Sequence, residues 1–168
     1  MKTLIVYFSR EGTVKAIAEG IGAELKGSTE LTVARIEPVR VRGYWGWLCR
    51  SFVPRYRVSI RPTVTDLNSY DVICLGFPKW TYACPPVNQY LLEMKNCEGK
   101  DFALFMCHRG FDQERYFESM VKQVSEKGGR IVAALDAKQS AVLDDSYRES
   151  LKAFCDRIKR SLEPIEDV

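Results

Sequence analysis

The chain has 168 residues, of which 46% are hydrophobic and 28% charged, and its formal net charge is +3 at pH 7. This length suits one domain with a buried core, and this composition excludes a low-complexity or disordered protein. No apolar run reaches the roughly 20 residues of a membrane-spanning helix, and the N-terminal run TLIVYF is too short for a secretory signal. We expect residues 1–168 to form a single cytoplasmic domain without a transmembrane segment.

Cysteine and histidine usage gives no sign of a metal or disulfide scaffold. The six cysteines are spread along the chain without a Cys-x-x-Cys pair, and the single histidine is His108. Cys74 and Cys107 lie in apolar runs, where a free thiol behaves as a small hydrophobic side chain. We therefore expect neither a disulfide framework nor a metal site.

Apolar runs of strand length alternate with segments of helical periodicity along the chain. The strands are predicted, in chain order, in KTLIVYF, ELTVARIE, YDVICLGF, DFALFMC and GGRIVAALD. The helices are predicted at residues 13 to 26, 85 to 95, 112 to 127 and 144 to 162. Asp144 or Asp145 is the expected N-cap of the last helix.

This alternation predicts an α/β sandwich of three layers, in which helices cover both faces of a parallel sheet. Five strands in this pattern match the strand order 2-1-3-4-5, in which ligands bind beyond the carboxyl ends of the strands. Residues 38 to 69 interrupt the pattern. They contain GYWGWLCRSF and a connector rich in proline and arginine, and no long helix is predicted there.

Residues 35 to 61 are strongly basic, because they hold seven arginines and one acidic residue, Glu37. The seven are Arg35, Arg40, Arg42, Arg50, Arg55, Arg57 and Arg61. This charge predicts an acidic partner. The tryptophans and other aromatic residues of the segment either pack against the sheet or form an interface with a protein, a second copy or an anionic membrane surface. We expect no nucleic acid.

The first candidate loop follows the first strand and reads SREGTV. A strand–turn–helix directs several backbone N–H groups at one point, and the helix dipole favours an anion there. Ser9 and Thr13 add hydroxyl donors; alternatively, the loop is an ordinary turn with Thr13 as its N-cap. Glu11 faces solvent, pairs with Arg10 or Lys15, or turns inward and repels the anion.

Two further loops follow the third and fourth strands and are expected at the same edge of the sheet. GFPKWTYACPP contains Trp80 and Tyr82, which either stack on a flat ring or pack under the loop. CHRGFD contains His108 and Arg109, which offer donors or positive charge, and Gly110, which permits close approach of the backbone. Together the three loops predict a site for a nucleotide with a flat aromatic ring.

These segments resemble the flavodoxin family over essentially the whole chain. LIVYFSREGTVKAIAEGI is similar to the family's FMN phosphate loop, YDVICLGFPKWTYACPPVNQYL to the segment flanking the isoalloxazine ring, and ALFMCHRGFDQERYFESM to the loop at the pyrimidine edge. The resemblance implies a flavodoxin-like fold and FMN as cofactor. The implied cofactor-binding residues are Ser9, Arg10, Glu11, Gly12, Thr13 and Val14 at the phosphate, Pro78, Lys79, Trp80, Thr81, Tyr82 and Ala83 along the ring, and Cys107, His108, Arg109, Gly110 and Phe111 at its polar edge.

The chain most resembles the short prokaryotic flavodoxin-like proteins and, more distantly, the protoporphyrinogen-oxidase flavodoxins. It departs from the family's phosphate loop at Val14, where a threonine is usual, and at Thr13, where an asparagine is usual. An acidic residue at the position of Glu11 is also found in the protoporphyrinogen-oxidase group. Because backbone amides make most of the contacts to the phosphate, these departures weaken FMN binding without abolishing it.

The resemblance implies an FMN-binding electron-transfer protein with no catalytic residue of its own. Its redox partner is expected to be acidic and to dock near the flavin edge and residues 35 to 61. Two alternatives remain open. One is an FMN-dependent oxidoreductase acting on NAD(P)H and a quinone or on protoporphyrinogen, and the other is an interaction module that has lost FMN. A homodimer contact through residues 38 to 61 also remains open.

Overall fold

The structure is a computed structural model that describes residues 1–41 and 43–163, so Arg42 of the basic segment lies outside the described residues. The strands are β1 (Lys2–Tyr7), β2 (Glu30–Arg35), β3 (Val72–Pro78), β4 (Asp101–His108) and β5 (Arg130–Lys138). The helices are α1 (Thr13–Leu25), α2 (Tyr44–Ser51), α3 (Pro85–Glu93), α4 (Gln113–Ser125), α5 (Gln139–Leu143) and α6 (Arg148–Leu162). Within these ranges no helix combines the length and hydropathy that a bilayer crossing requires.

The five strands form one parallel sheet in the order β2-β1-β3-β4-β5, which confirms the predicted topology. Tyr7 pairs with Gly76, and Pro78 pairs with Cys107. The carboxyl ends of β1, β3 and β4 therefore lie side by side. The loops that follow these three strands are brought to one edge of the sheet, as the sequence predicted.

The burial of each strand explains its place in the sheet. Every residue of β3 and β4 is buried, and β1 is buried after its first residue, which suits central strands covered on both faces. The edge strands β2 and β5 include exposed residues. One face packs against α1 and α6, and the other against α3 and α4, so that two apolar clusters enclose the sheet in three layers.

The C-terminal helix begins later than predicted. α6 starts at Arg148, and neither Asp144 nor Asp145 caps it, because a short helix, α5, directly follows β5 and the two aspartates form the turn between α5 and α6. Asp144 accepts the N–H of Ser146 at 3.0 Å, and Asp145 pairs with Arg148 at 2.9 Å. The N-cap prediction was therefore wrong: both carboxylates stabilise a turn instead.

Residues 38 to 69 contain one helix, α2, which is only eight residues long. Its inner face buries Trp47, at 3% exposure, and Ser51. Trp45 points away from the sheet and is 73% exposed. Of these two tryptophans, Trp47 packs in the core, as the packing alternative predicted, and Trp45 lies on the surface.

Candidate functional site

A cleft opens at the carboxyl ends of β1, β3 and β4. Its lining comes from all three predicted loops together with α2 and the start of α5: Arg10, Glu11, Thr13, Tyr44, Trp47, Leu48, Pro78, Lys79, Trp80, Cys107, His108, Arg109, Gly110 and Gln139. The loop after β3 is joined to β4 by the N–H of Lys79, which donates to the carbonyl of Cys107 at 2.8 Å. The residues of the loop after β1 form a polar end of the cleft, and Trp80 of the loop after β3 forms part of an apolar wall.

The loop after β1 presents backbone donors to the cleft. Gly12 is the N-cap of α1 with φ +89°, and no side chain caps the helix. In the part of the chain that the structure describes, the amides of Arg10, Glu11, Thr13 and Val14 donate to no protein acceptor. Unsatisfied amides at a helix N-terminus attract an anion, and the helix dipole adds to that attraction.

Ser9 shapes this loop from below rather than facing outward. Its side chain is buried, its Oγ accepts the N–H of Gly12 at 3.2 Å, and its carbonyl accepts a hydrogen bond from Nη2 of Arg35 at 3.1 Å. Arg35, the first arginine of the basic segment, therefore supports the loop, while half of its side chain stays exposed. Thr13 is the first residue of α1 and not its N-cap, so the alternative with Thr13 as a cap is wrong.

Val14 does not face the cleft. Its side chain is 1% exposed and belongs to the apolar cluster under α1, together with Ile17 and Ile21. A hydroxyl at this position would be buried away from any anion in the loop. Only the backbone N–H of Val14 is placed to contribute to binding.

Glu11 is held across the mouth of the cleft by three donors. Its carboxylate accepts from Nη1 of Arg10 at 3.2 Å, from Nη2 of Arg109 at 2.9 Å and from Nε2 of Gln139 at 3.0 Å. Of the two pairings predicted from sequence, the one with Arg10 forms, whereas Lys15 pairs with Glu19. The contacts with Arg109 and Gln139 join segments 98 and 128 residues apart, which the local sequence could not indicate.

The apolar wall consists of tryptophans that support each other. Trp80 is half-buried, and its ring lies 5.7 Å from Phe8 and 5.6 Å from Trp47, centroid to centroid. Trp80 packs on the core, as the packing alternative predicted, and it also lines the cleft. Tyr44, which was not predicted, lines the opposite side with Arg10 5.5 Å above its ring.

Three residues expected along a ring lie elsewhere. Tyr82 is 54% exposed and contacts Phe52 at 6.3 Å between ring centroids. Thr81 donates its hydroxyl to Ser51 Oγ at 2.6 Å, and Ala83 is buried at 1% exposure. These side chains attach the loop to α2 and to the core instead of lining the cleft, because α2 occupies the space beside the loop.

The loop after β4 has an unusual backbone. Gly110, Phe111 and Asp112 have φ values of +93°, +85° and +49°, so three successive residues lie in the left-handed region. Phe111 is 81% exposed, and Lys79 Nζ lies 5.7 Å from the centre of its ring. Burial lowers the pKa of Lys79, and Asp112 opposes this shift. Arg109 of this loop and Lys79 of the loop after β3 are thus two cations beside the cleft.

The last two residues of β4, Cys107 and His108, have titratable side chains and line the cleft. Burial raises the pKa of the Cys107 thiol, so this group is a neutral part of the wall. His108 is 4% exposed and uses both ring nitrogens within the protein, on Gly110 and Asp136. All six cysteines are free thiols, and residues 1–41 and 43–163 contain no group of three or more histidine, cysteine, aspartate or glutamate side chains arranged to hold a metal ion.

The fold and this cleft define a class of protein: a doubly wound α/β domain with a loop of free amides and an aromatic wall at the strand ends. A family model described as Flavodoxin matches residues 2–155. The chain therefore belongs to the flavodoxin family. It is also 32% identical to an uncharacterized protein of Archaeoglobus fulgidus over 161 residues, which covers 94% of this chain and 97% of the relative.

Solved structures share the fold at low sequence identity. Flavodoxin 2 from Bacillus cereus, in its oxidised form, superposes with a TM-score of 0.70 at 19% identity, covering 95% of this chain and 99% of that one. A flavoprotein in complex with FMN from Lactobacillus acidophilus superposes with a TM-score of 0.64 at 21% identity, covering 86% and 97%. At these identities the likeness establishes the architecture.

Proposed function

We propose that the cleft binds FMN and that the protein transfers electrons through it. The observation that carries the proposal is the set of free amides at the N-terminus of α1, which lies at the polar end of a cleft walled by Trp80. A phosphate suits the free amides, and a flat ring suits the tryptophan. The similarity to an FMN complex of the same fold supports the choice of cofactor.

The lining residues fit the chemical parts of FMN. The free amides between Arg10 and Val14 would hold the phosphate, with Arg10 and Arg109 as nearby cations, while Pro78 and Trp80 would flank the ring. Bound FMN supplies the electron-transfer chemistry. With FMN bound, Trp80 would disfavour the electron-rich reduced ring, and the cations Lys79 and Arg109 would favour that reduced ring. These three residues would therefore set the redox potential of the flavin.

A fluorescence titration tests FMN binding. Protein stripped of any bound flavin is expected to quench FMN emission to saturation, and the absorbance bands of the flavin are expected to sharpen and shift. Free tryptophan and a denatured sample serve as controls for collisional quenching. Unsaturable quenching with an unchanged flavin spectrum would leave the interaction-module alternative in place.

Steady-state turnover separates a carrier from an enzyme. We expect FMN-loaded protein to reduce menadione with NADH or NADPH no faster than free FMN does, because the described residues show no second nucleotide site of the phosphate-loop kind. A rate well above that of free FMN would favour the oxidoreductase alternative, in which the arginines of residues 35 to 61 would attract an acidic substrate.

The surface beside the cleft suits an acidic partner. α2 presents Trp45, which is 73% exposed, and the basic face that follows it presents Phe52, which is 54% exposed, together with Arg55 and Arg57. Residues 38 to 65 contain no acidic residue. Because Tyr44 of α2 lines the cleft, a partner that covers α2 would lie next to the flavin, with Arg55 and Arg57 on the side toward α3 and α4.

Charge reversal on the basic face is expected to slow an anionic electron acceptor. The double variant Arg55→Glu, Arg57→Glu should reduce the rate of oxidation of the reduced protein by ferricyanide about fivefold at low salt, and added salt should shrink the difference. A matched control is Lys152→Glu, Arg160→Glu, since both residues are exposed on α6, which packs on the other face of the sheet. Equal rates in both double variants would place the site of electron exit elsewhere.

Val14→Thr is expected to leave FMN affinity unchanged and to destabilise the fold by about 1–2 kcal/mol, because the added hydroxyl is buried in an apolar cluster. Urea unfolding and the FMN titration measure the two effects. Val33→Thr is the matched control, since Val33 is 60% exposed and the same change there should cost almost nothing. Tighter FMN binding in Val14→Thr would show that position 14 reaches the phosphate.

A further inference from the structure

The single histidine of the chain is neutral in this structure. His108 Nδ1 accepts the N–H of Gly110 at 2.8 Å, so this nitrogen is unprotonated, and Nε2 lies 2.8 Å from Oδ1 of Asp136. A ring that accepts at one nitrogen and donates at the other carries its one proton on Nε2. Neither nitrogen is left for a ligand in the cleft, so His108 is not suited to contact FMN directly, although it lines the cleft.

The loop that His108 anchors is strained. Three successive residues, Gly110 to Asp112, have positive φ, and Phe111 and Asp112 carry side chains that disfavour this conformation. Such a backbone persists only where its surroundings hold it. The neighbouring Arg109 extends from the same loop to Glu11 and Gln139, so the position of this loop decides how the mouth of the cleft is closed.

We propose that His108 is a positioning residue whose unprotonated Nδ1 holds residues 109 to 112 over the cleft, and that protonation of this nitrogen in acid releases the loop. An imidazolium has no acceptor, so the proton on Nδ1 would oppose the N–H of Gly110. Release of the loop is a property of the polypeptide and goes beyond FMN binding. Only its consequence, weaker FMN binding in acid, rests on the proposed function.

The charges around His108 act in both directions. Asp136 and Lys138 face it from β5, Lys79 faces it from the loop after β3, and Glu114 of α4 faces Asp136. Burial lowers the pKa of His108; Asp136 opposes this shift, and the two lysines add to it. The hydrogen bond from Gly110 independently requires the neutral ring, which supports the same direction.

The sign of the pH dependence follows from this lowered pKa. The unfolded chain takes up the proton near pH 6.5, the ordinary value for histidine, before the folded chain does. The contribution of His108 to stability is therefore complete above about pH 6.5 and is lost as the pH falls toward the folded-state value. The loop is expected to open over the lower part of this window.

Two substitutions separate the acceptor from the titration. His108→Asn keeps an acceptor, because an asparagine Oδ1 accepts the N–H two residues further on in an Asx turn, and it does not titrate. His108→Leu removes the acceptor at every pH. Asp136→Asn removes the attraction that opposes burial and should move the opening of the loop to lower pH.

The test is an NMR titration of flavin-free protein between about pH 8 and 4.5. One histidine gives one imidazole signal, so its midpoint can be compared directly with the shifts and hydrogen exchange of the Gly110 and Phe111 amides. We expect the Gly110 amide to lose protection at least tenfold and the Phe111 amide to shift with the imidazole midpoint in the wild-type protein, and both to stay unchanged throughout in His108→Asn. The amide of Ile158, in the core of α6, should remain protected and exclude global unfolding.

Two results would overturn the proposal: loop amides that do not follow the imidazole midpoint, or a His108→Asn loop that opens at the same pH as the wild type. The deciding comparison is between His108→Asn and the wild type, so the test does not require His108→Leu to fold. Because no flavin is present, a failure of FMN binding would leave this result unaffected. With FMN added, the same midpoint should appear in the pH dependence of the flavin affinity if the proposed function also holds.

Discussion

Glu11→Gln is expected to tighten FMN binding by about tenfold at low salt. The carboxylate of Glu11 lies in the loop whose free amides would receive the phosphate, and it engages Arg10 and Arg109, the two arginines that line the cleft. A negative charge in the same loop opposes the binding of a phosphate dianion by about 1–2 kcal/mol in a partly solvated site. Glutamine keeps the shape and an acceptor oxygen but removes the charge, which frees both arginines to face the phosphate.

The effect of Glu11→Gln should depend on charge alone. It is expected to shrink as salt is added and to be absent for riboflavin, which has no phosphate. Glu19→Gln on α1, the helix that follows the loop, is the control, because Glu19 is exposed and pairs only with Lys15 within the described chain. Weaker FMN binding in Glu11→Gln would contradict this account and would mean that the link from Glu11 to Arg109 and Gln139 organises the site.

Gly76→Ala is expected to destabilise the fold by about 3 kcal/mol and to lower Tm by about 6–12 °C. A Cβ at this position would lie 2.2 Å from two ring carbons of Phe105 on the neighbouring strand. Phe105 is fully buried and packs against Phe154 with ring centroids 6.4 Å apart, so its ring has no free space to enter. The strand must therefore shift or the core must repack.

Gly22→Ala is the matched control for Gly76→Ala. Gly22 lies inside α1, and a Cβ there would meet its nearest neighbour, Ile5 Cδ1, at 3.8 Å, an ordinary contact. This substitution should stabilise the protein by about 0.5–1 kcal/mol through helix propensity. Thermal and urea unfolding measure both variants. Equal stability of Gly76→Ala and the wild type would contradict the tight approach of β3 and β4.

The sheet could be predicted from sequence because its determinants are local. The runs around Ile5, Ile73 and Leu104 are apolar at nearly every position, which is typical of strands buried on both faces, and the amphipathic segments between them fix parallel crossovers. The predicted order and the meeting of three loops at one edge follow from that alternation. The turn at Asp144 and Asp145 could not be predicted, because aspartate suits a turn and a helix N-cap equally well.

The details of the site depended on contacts between distant segments. The sequence identified the free-amide loop and Trp80, but it did not indicate Tyr44 or Gln139, which reach the cleft from α2 and α5. It assigned Tyr82 to the cleft, whereas Tyr82 contacts Phe52, the residue that follows α2. Helical spacing in the sequence did carry one usable signal: Val14 lies three residues before Ile17 and seven before Ile21, on the face of α1 that is buried.

The most direct test of the central claim compares the affinities of flavin-free protein for FMN and for riboflavin, measured by fluorescence quenching in the same buffer. If the free amides between Arg10 and Val14 hold the phosphate, FMN should bind at least tenfold more tightly than riboflavin, and the difference should shrink as salt is added. Equal affinities for the two flavins, or no saturable binding of either, would contradict the account.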